Sequence, residues 1–225
     1  MAKLLLSLLF STVIILSANA QWQVGLHFSP TFSSGDFKEQ SNGVDFYGFN
    51  FEGAYRIKES PIVVGAAFGY SLYGSQLDKS SYIDNSGQTM RVRTNNNMVS
   101  NRLFVRLQPN WSFFVLPYIE AAAGYNFLYT RETVRPRRAS EVLDAETLHN
   151  SSAFIYGFGG GLAIPIPNTL LSIDLRANYF TGQQTSYLTK NDIFWNADTE
   201  ILELNPRTST TDMLMFQIGL RIDID

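Results

Sequence analysis

Eight stretches of this chain carry apolar side chains at every second residue, a pattern that few folds can satisfy. The first reads Trp22, Val24, Leu26, Phe28, Pro30 and Phe32 at even positions against Gln23, Gly25, His27, Ser29 and Thr31 at odd ones. Successive strand side chains point to opposite faces, so each stretch is a strand with one oily face and one polar or small face. The alternation returns over 47–55, 62–72, 99–107, 115–129, 154–164, 171–179 and 214–224.

A soluble β-sandwich alternates too, so the connections must decide where the oily face points. They run over 33–43, 56–61, 75–97, 108–113, 131–152, 165–169 and 181–211, strictly long then short. That rhythm is the one expected of a barrel crossing an outer membrane, with short periplasmic turns and longer external loops. The expected fold class is therefore all-β, an eight-stranded antiparallel up-and-down transmembrane β-barrel with both chain ends at the periplasmic rim. Charge is scarce, at 16% of residues against roughly 25% in an ordinary soluble domain. The chain has no cysteine, which removes disulfide frameworks, thiolate zinc sites and cysteine nucleophiles. A formal charge of −3 gives no reason to expect nucleic acid as a partner.

The start of the chain has its own logic. Lys3, the apolar run Leu4 to Leu16 and the small-residue end Ser17-Ala18-Asn19-Ala20 have the order of a secretory signal peptide. The run is shorter than the roughly 18 residues that span a bilayer. The domain expectation is a leader over 1–20, cleaved after Ala20, and a barrel domain over 21–225, exported to the outer membrane of a Gram-negative bacterium.

Strand parity places Glu52, Arg102, Arg106, Glu120, Asp174, Arg176, Arg221 and Asp223 on the non-lipid face, four acids against four arginines. An uncompensated buried charge costs several kcal/mol, so these groups are expected to neutralise one another as an interior network. Gly65, Gly69, Gly157, Gly159, Gly161 and Ala163 on the same face leave volume for the arginines and for Phe46, Tyr73 and Tyr118. Eight strands enclose a space that side chains just fill, so a filled barrel is expected and not an open pore. Asn101 and Pro117 interrupt the oily face. Trp22, Tyr55, Trp111 and Phe113 at the inner ends, with Phe32, Tyr70, Tyr125, Tyr129, Tyr156 and Tyr179 toward the outer ends, suit two aromatic girdles.

The leader, the entry Gln21-Trp22-Gln23-Val24-Gly25, the glycine-rich Tyr156-Gly157-Phe158-Gly159-Gly160-Gly161 and the closing Phe216-Gln217-Ile218-Gly219-Leu220-Arg221-Ile222 carry a resemblance. Together they resemble small eight-stranded outer-membrane barrels, especially the porin-like barrel family of Bacteroidota, which includes the PorT-type secretion accessory. The resemblance implies an integral outer-membrane protein without catalytic activity. The end Ile224-Asp225, in place of a terminal aromatic residue, points away from the proteobacterial branch.

No catalytic, cofactor or metal site is expected. His27 faces inward, where neighbours satisfy it, and His149 has no partner at metal-ligand spacing. The external segments are the stronger candidates, because binding residues concentrate on loops held by a rigid scaffold. Arg131, Arg135, Arg137 and Arg138 form a basic cluster suited to an anionic ligand such as lipopolysaccharide phosphate, or to ion pairs with Glu141, Asp144 and Glu146. The segments around Tyr82 to Gly87 and Ile193 to Leu204 suggest projecting hairpins that either offer an edge to a partner or extend the wall. The expected partners are outer-membrane lipid and another envelope protein. The expected role is structural, adhesive or in envelope assembly; the alternatives are a narrow channel for small solutes or ions and a lipid A-modifying enzyme.

Overall fold

The computed structural model describes residues 21–58, 60–78, 90–109, 114–136, 143–190, 192–196 and 201–224. The expected leader over 1–20, Trp111, Phe113 and the segment Tyr82 to Gly87 lie outside them.

In chain order the elements are β1 (Gln21–Phe28), β2 (Thr31–Ser33), α1 (Gly35–Ser41), β3 (Asp45–Arg56), β4 (Ile62–Asp78), β5 (Met90–Leu107) and β6 (Leu116–Pro136). There follow β7 (Asp144–Pro165), β8 (Leu171–Gly182), β9 (Thr185–Tyr187), β10 (Ile193–Asn196), β11 (Ile201–Leu204), β12 (Arg207–Ser209) and β13 (Met213–Ile224). From β3 to β8 each strand pairs antiparallel with its neighbour in sequence, and β8 pairs with β13. The ring closes because β1 pairs on one side with β13, from Trp22↔Ile224, and on the other with β3, from Gln21↔Arg56. Beyond Pro30, which has no N–H to give the ladder, β2 resumes the same wall position between β13 and β3. The wall is therefore eight strands, the first of them interrupted once.

The two faces invert the usual order of a soluble protein. Leu103 and Phe158 are 70% and 72% exposed, while Arg106 and Asp174 are wholly buried. Trp22 and Tyr55 meet edge to face at 5.5 Å on the inner rim. Both interruptions of the oily face, Asn101 and Pro117, are exposed on the outer wall.

Two of the expected loops prove to be wall. The strands β4 to β7 run 17 to 22 residues against 12 for β3, β8 and β13, so most of 75–97 and 131–152 is paired strand. At about 3.3 Å per residue the extra length lifts a four-stranded ribbon roughly 15–30 Å beyond the shorter strands. On this ribbon the side chains at 75–77, 91–95, 131–135 and 144–150 are exposed or half-buried on both faces, so the hydropathy contrast that marks a strand disappears while the backbone ladder continues. The expected loop 33–43 contains α1, closed by Asn42 in the left-handed conformation, φ 59°. In the fourth long connection β10 pairs with β11 and β9 with β12.

The interior has two layers. Toward the outside Phe37, Phe46, Tyr73, Met98, Leu128, Ile155, Phe180, Tyr187, Met213 and Met215 pack into one buried apolar cluster. Phe37 of α1 stands edge to face on Tyr187 of β9 at 5.0 Å, so α1 and β9 close the mouth. Arg207 of β12 ties this cover together, pairing with Asp192 at 2.8 Å and donating to the Gln40 carbonyl oxygen at 2.6 Å. Below lies the charged layer.

Glycine makes room at the boundary. A Cβ on Gly161 would sit 2.4 Å from the Tyr118 hydroxyl and 2.6 Å from the Leu175 carbonyl oxygen, whereas one on Gly53 would meet nothing within 4 Å. Gly161→Val is expected to destabilise the barrel by about 1–3 kcal/mol, as overpacking of a filled interior does, and Gly53→Ala to leave it unchanged. Urea unfolding in lipid vesicles, followed by tryptophan fluorescence, measures both.

Candidate functional site: the charged interior and the outer ribbon

Five wall strands, β1, β3, β5, β6 and β8, feed the centre of the charged layer. Arg106 of β5 donates from Nε and Nη2 to Glu120 Oε2 at 3.0 and 2.8 Å, and from Nη2 to Glu52 Oε1 at 3.1 Å. Arg176 of β8 takes Glu52 in a two-toothed contact, Nη1 to Oε2 at 2.8 Å and Nη2 to Oε1 at 3.0 Å. It also reaches Asp174 Oδ2 at 3.0 Å and lies 3.4 Å from Glu120 Oε2. The Tyr118 hydroxyl donates to Asp174 and accepts from Arg176 Nε at 2.9 Å, and its ring lies 4.4 Å from the Arg106 guanidinium carbon. Asn178 Nδ2 satisfies Glu120 Oε1 at 3.1 Å, and His27 Nε2 lies 3.4 Å from Asp174 Oδ2.

The structure thus brings Glu52, Arg106, Glu120, Asp174 and Arg176 together, but it splits the expected network of eight. Arg102 makes no ion pair among the described residues: it donates to Asn50 Oδ1 and Met215 Sδ and lies 5.1 Å from the Phe180 ring. It sits at the edge of the apolar layer, outside ion-pair distance of the acids but close enough to feel the charges of Glu120 and Glu52. Arg221 and Asp223 form a separate pair at 3.2 Å near the periplasmic rim, where the Asp223 side chain is 35% exposed. Sequence reasoning missed Arg56, which shares the inward parity of Glu52 on β3; it is buried and donates to the Gln108 carbonyl oxygen at 3.0 Å. It also missed the inward amides Asn50 and Asn178, which parity alone would have placed there.

His27, Glu52 and Asp174 bring one ligand atom each within 4.8 Å of one another. Two guanidiniums already occupy these carboxylates, and their positive charge makes the spot hostile to a dication. The chemistry of the arrangement is charge pairing: Arg106 and Arg176 each span acids from different strands and so fix the cross-section of the ring, and the nearby charge of Arg102 balances the third acid.

At the outer ribbon, Arg131 and Arg135 are exposed on β6, on the face that carries Tyr125, Phe127 and Tyr129 lower down. Arg137, Arg138 and Glu141 lie outside the described residues. The acids weighed as their partners, Asp144 and Glu146, pair across β6–β7 with Val134 and Glu132 and so share the opposite face of the ribbon. Glu132 directly faces Glu146, an unfavourable like-charge pair. Partial burial, Glu146 and Asp144 raise the Glu132 carboxyl above its ordinary value of 4.5, with the Thr94 hydrogen bond opposing.

A closed eight-stranded ring with an oily outer wall, a neutralised interior and a ribbon rising on one side defines the class of small outer-membrane barrel proteins. The chain belongs to the outer membrane protein beta-barrel domain family, whose model matches residues 5–223. Similar solved structures include a major outer membrane protein from Thermus thermophilus, 16% identical with a TM-score of 0.50 over 91% of this chain and 99% of that one. Neisserial surface protein A is 13% identical with a TM-score of 0.41, over 91% of this chain and 97% of that one. Ail, the attachment invasion locus protein of Yersinia pestis, is 15% identical with a TM-score of 0.38, over 90% and 97%. At these identities the likeness concerns the fold alone. None of the curated proteins matches the chain.

Two measurements check the electrostatics. Glu52→Gln leaves Arg106 and Arg176 short of a buried counter-charge and is expected to cost about 3–5 kcal/mol, against less than about 1 kcal/mol for Asp223→Asn at the exposed rim pair. Urea midpoints in vesicles compare them. Because the folded ribbon holds the Glu132 proton more tightly than the unfolded chain does, its stability falls as pH rises through the carboxylate range and just above it. Glu132→Gln is expected to remove that loss, seen as greater amide-exchange protection of β7 residues 144–147 at pH 7 and a flatter pH dependence.

Proposed function

We propose that this chain is a non-enzymatic outer-membrane barrel that acts from its surface, in a structural, adhesive or envelope-assembly role through its external ribbon and cover or its periplasmic rim. The single observation that carries the reading is the occupied interior. The ion network fills the lower layer, ten apolar side chains fill the upper one, and α1 with β9 covers the mouth. Buried Arg106 and Arg176 stand across the lower layer, in the way of a solute. The Bacteroidota resemblance, with its secretion accessory, lies within this reading. So does export through a cleaved leader.

The channel reading draws on one observation of its own. Gln23 Oε1, His27 Nδ1, Asn126 Oδ1 and Gln217 Oε1 are buried without a hydrogen-bond partner among the described residues, polar atoms that water or an ion could satisfy. Lipid modification needs a histidine held between a serine and a carboxylate. Ser186 Oγ and His149 Nε2 are 3.0 Å apart, with no carboxylate bonded to them among the described residues.

Purified protein in planar bilayers separates these readings. No stable unitary conductance is expected from the full chain, and reproducible steps would overturn the surface role in favour of the channel. Lipid A mass spectra are expected to be unchanged on overexpression.

A further inference from the structure

We propose that the outward face of the β5–β6 ribbon is a binding ladder for the phosphate groups of the outer-leaflet glycolipid, formed by Arg91, Arg93, Arg131 and Arg135. The register between the two strands is unbroken from Leu107↔Ile119 to Met90↔Pro136, so residues opposite one another share a face throughout. Asn97 lies opposite Tyr129, Asn95 opposite Arg131, Arg93 opposite Thr133 and Arg91 opposite Arg135. Two arginines are therefore direct cross-strand partners, and Arg93 is diagonal to both Arg131 and Arg135.

All four are exposed, and none makes an ion pair among the described residues. The nearby acids, Glu132, Asp144 and Glu146, project to the other face. Like charges set directly opposite one another repel, and a dianion bridging them reverses the sign. Planar guanidiniums suit phosphate oxygens in two-toothed contacts.

The height of the ladder selects lipid. Directly below it Tyr70 donates its hydroxyl to Asn97 Oδ1 at 2.7 Å beside Tyr129, marking the interfacial girdle, and below that Val99, Phe127 and Tyr125 face the acyl chains. Arg131 is two residues beyond Tyr129 and Arg135 six. At about 3.3 Å per residue on strands tilted by about 40°, the guanidiniums begin roughly 5 Å above the girdle and end roughly 15 Å above it. That is the level of headgroups, on a face continuous with the lipid-facing wall. The inference rests on the placement of the barrel in the outer membrane and is indifferent to whether the lumen conducts.

The test uses the folded full chain in neutral detergent micelles, with phosphorylated lipid A and its enzymatically dephosphorylated counterpart as probes and native mass spectrometry as the readout. The variant replaces all four residues, R91Q, R93Q, R131Q and R135Q, with R93Q and R131Q together as a milder second variant; heat-modifiable gel mobility verifies that each is folded. The parent is expected to retain phosphorylated lipid A at least tenfold better than the fourfold variant, with the double variant between them. The dephosphorylated lipid is expected to bind weakly and equally to all three. Equal retention of the phosphorylated lipid by parent and variants overturns the proposal, as does full displacement by millimolar inorganic phosphate, which would make the ladder a site for soluble anions.

Discussion

No backbone amide of the wall can be left unpaired in hydrocarbon, and the closure of β1 onto both β3 and β13 is how this chain meets that demand. Everything else is conditioned by the ring. Once eight strands close, alternation sends one set of side chains to lipid and the other into a space too narrow to stay open. The first wall strand shows one tolerated departure at Pro30, where the missing donor is accommodated by restarting the strand as β2, and among the described residues the ladder also shifts register at Leu72/Gly74 and at Thr130/Arg131.

The ring then forces a division of labour inside. Arginines from β5 and β8 reach across to acids from β3, β6 and β8, so the charged layer acts as a set of struts between strands distant in sequence. Such buried pairs add little net stability compared with an apolar filling, but removing one partner is costly. The apolar layer above has no such directional demand and accepts contributions from α1 and β9, which is how a loop and a short strand become parts of the barrel filling. The molecule is sealed by packing at the outer mouth and held in shape by charge nearer the periplasm.

The outer half of the wall shows why the sequence was legible in one region and opaque in another. Through the bilayer every strand contrasts oil with polar or small residues, so the eight segments and the inward parity of Glu52, Arg106, Glu120, Asp174 and Arg176 can be read directly. In 75–77, 91–95, 131–135 and 144–150 the described side chains are exposed or half-buried on both faces, the contrast fades, and paired strands look like loops. Arg102 carries the right parity yet makes no ion pair with the acids, donating instead to Asn50 and Met215, because parity gives the face of a strand and not the level at which a side chain sits. Arg56 was as readable as Glu52, but its partner is a backbone oxygen at 108, which no pattern of side chains announces.

Period-two alternation and the long-short rhythm of the gaps were enough to read the barrel wall, its count of strands and the faces of the residues in the eight alternating segments, though not the outer extension of β4 to β7. They could not say which charges meet, that α1 and β9 cover the mouth, or that Arg91 and Arg93 join Arg131 and Arg135 on one surface. Those outcomes came from the folded ring, because they depend on register and contact between elements far apart in the chain, such as Glu52 with Arg176 or Phe37 with Tyr187, and register is a property of the closed barrel that no single segment encodes.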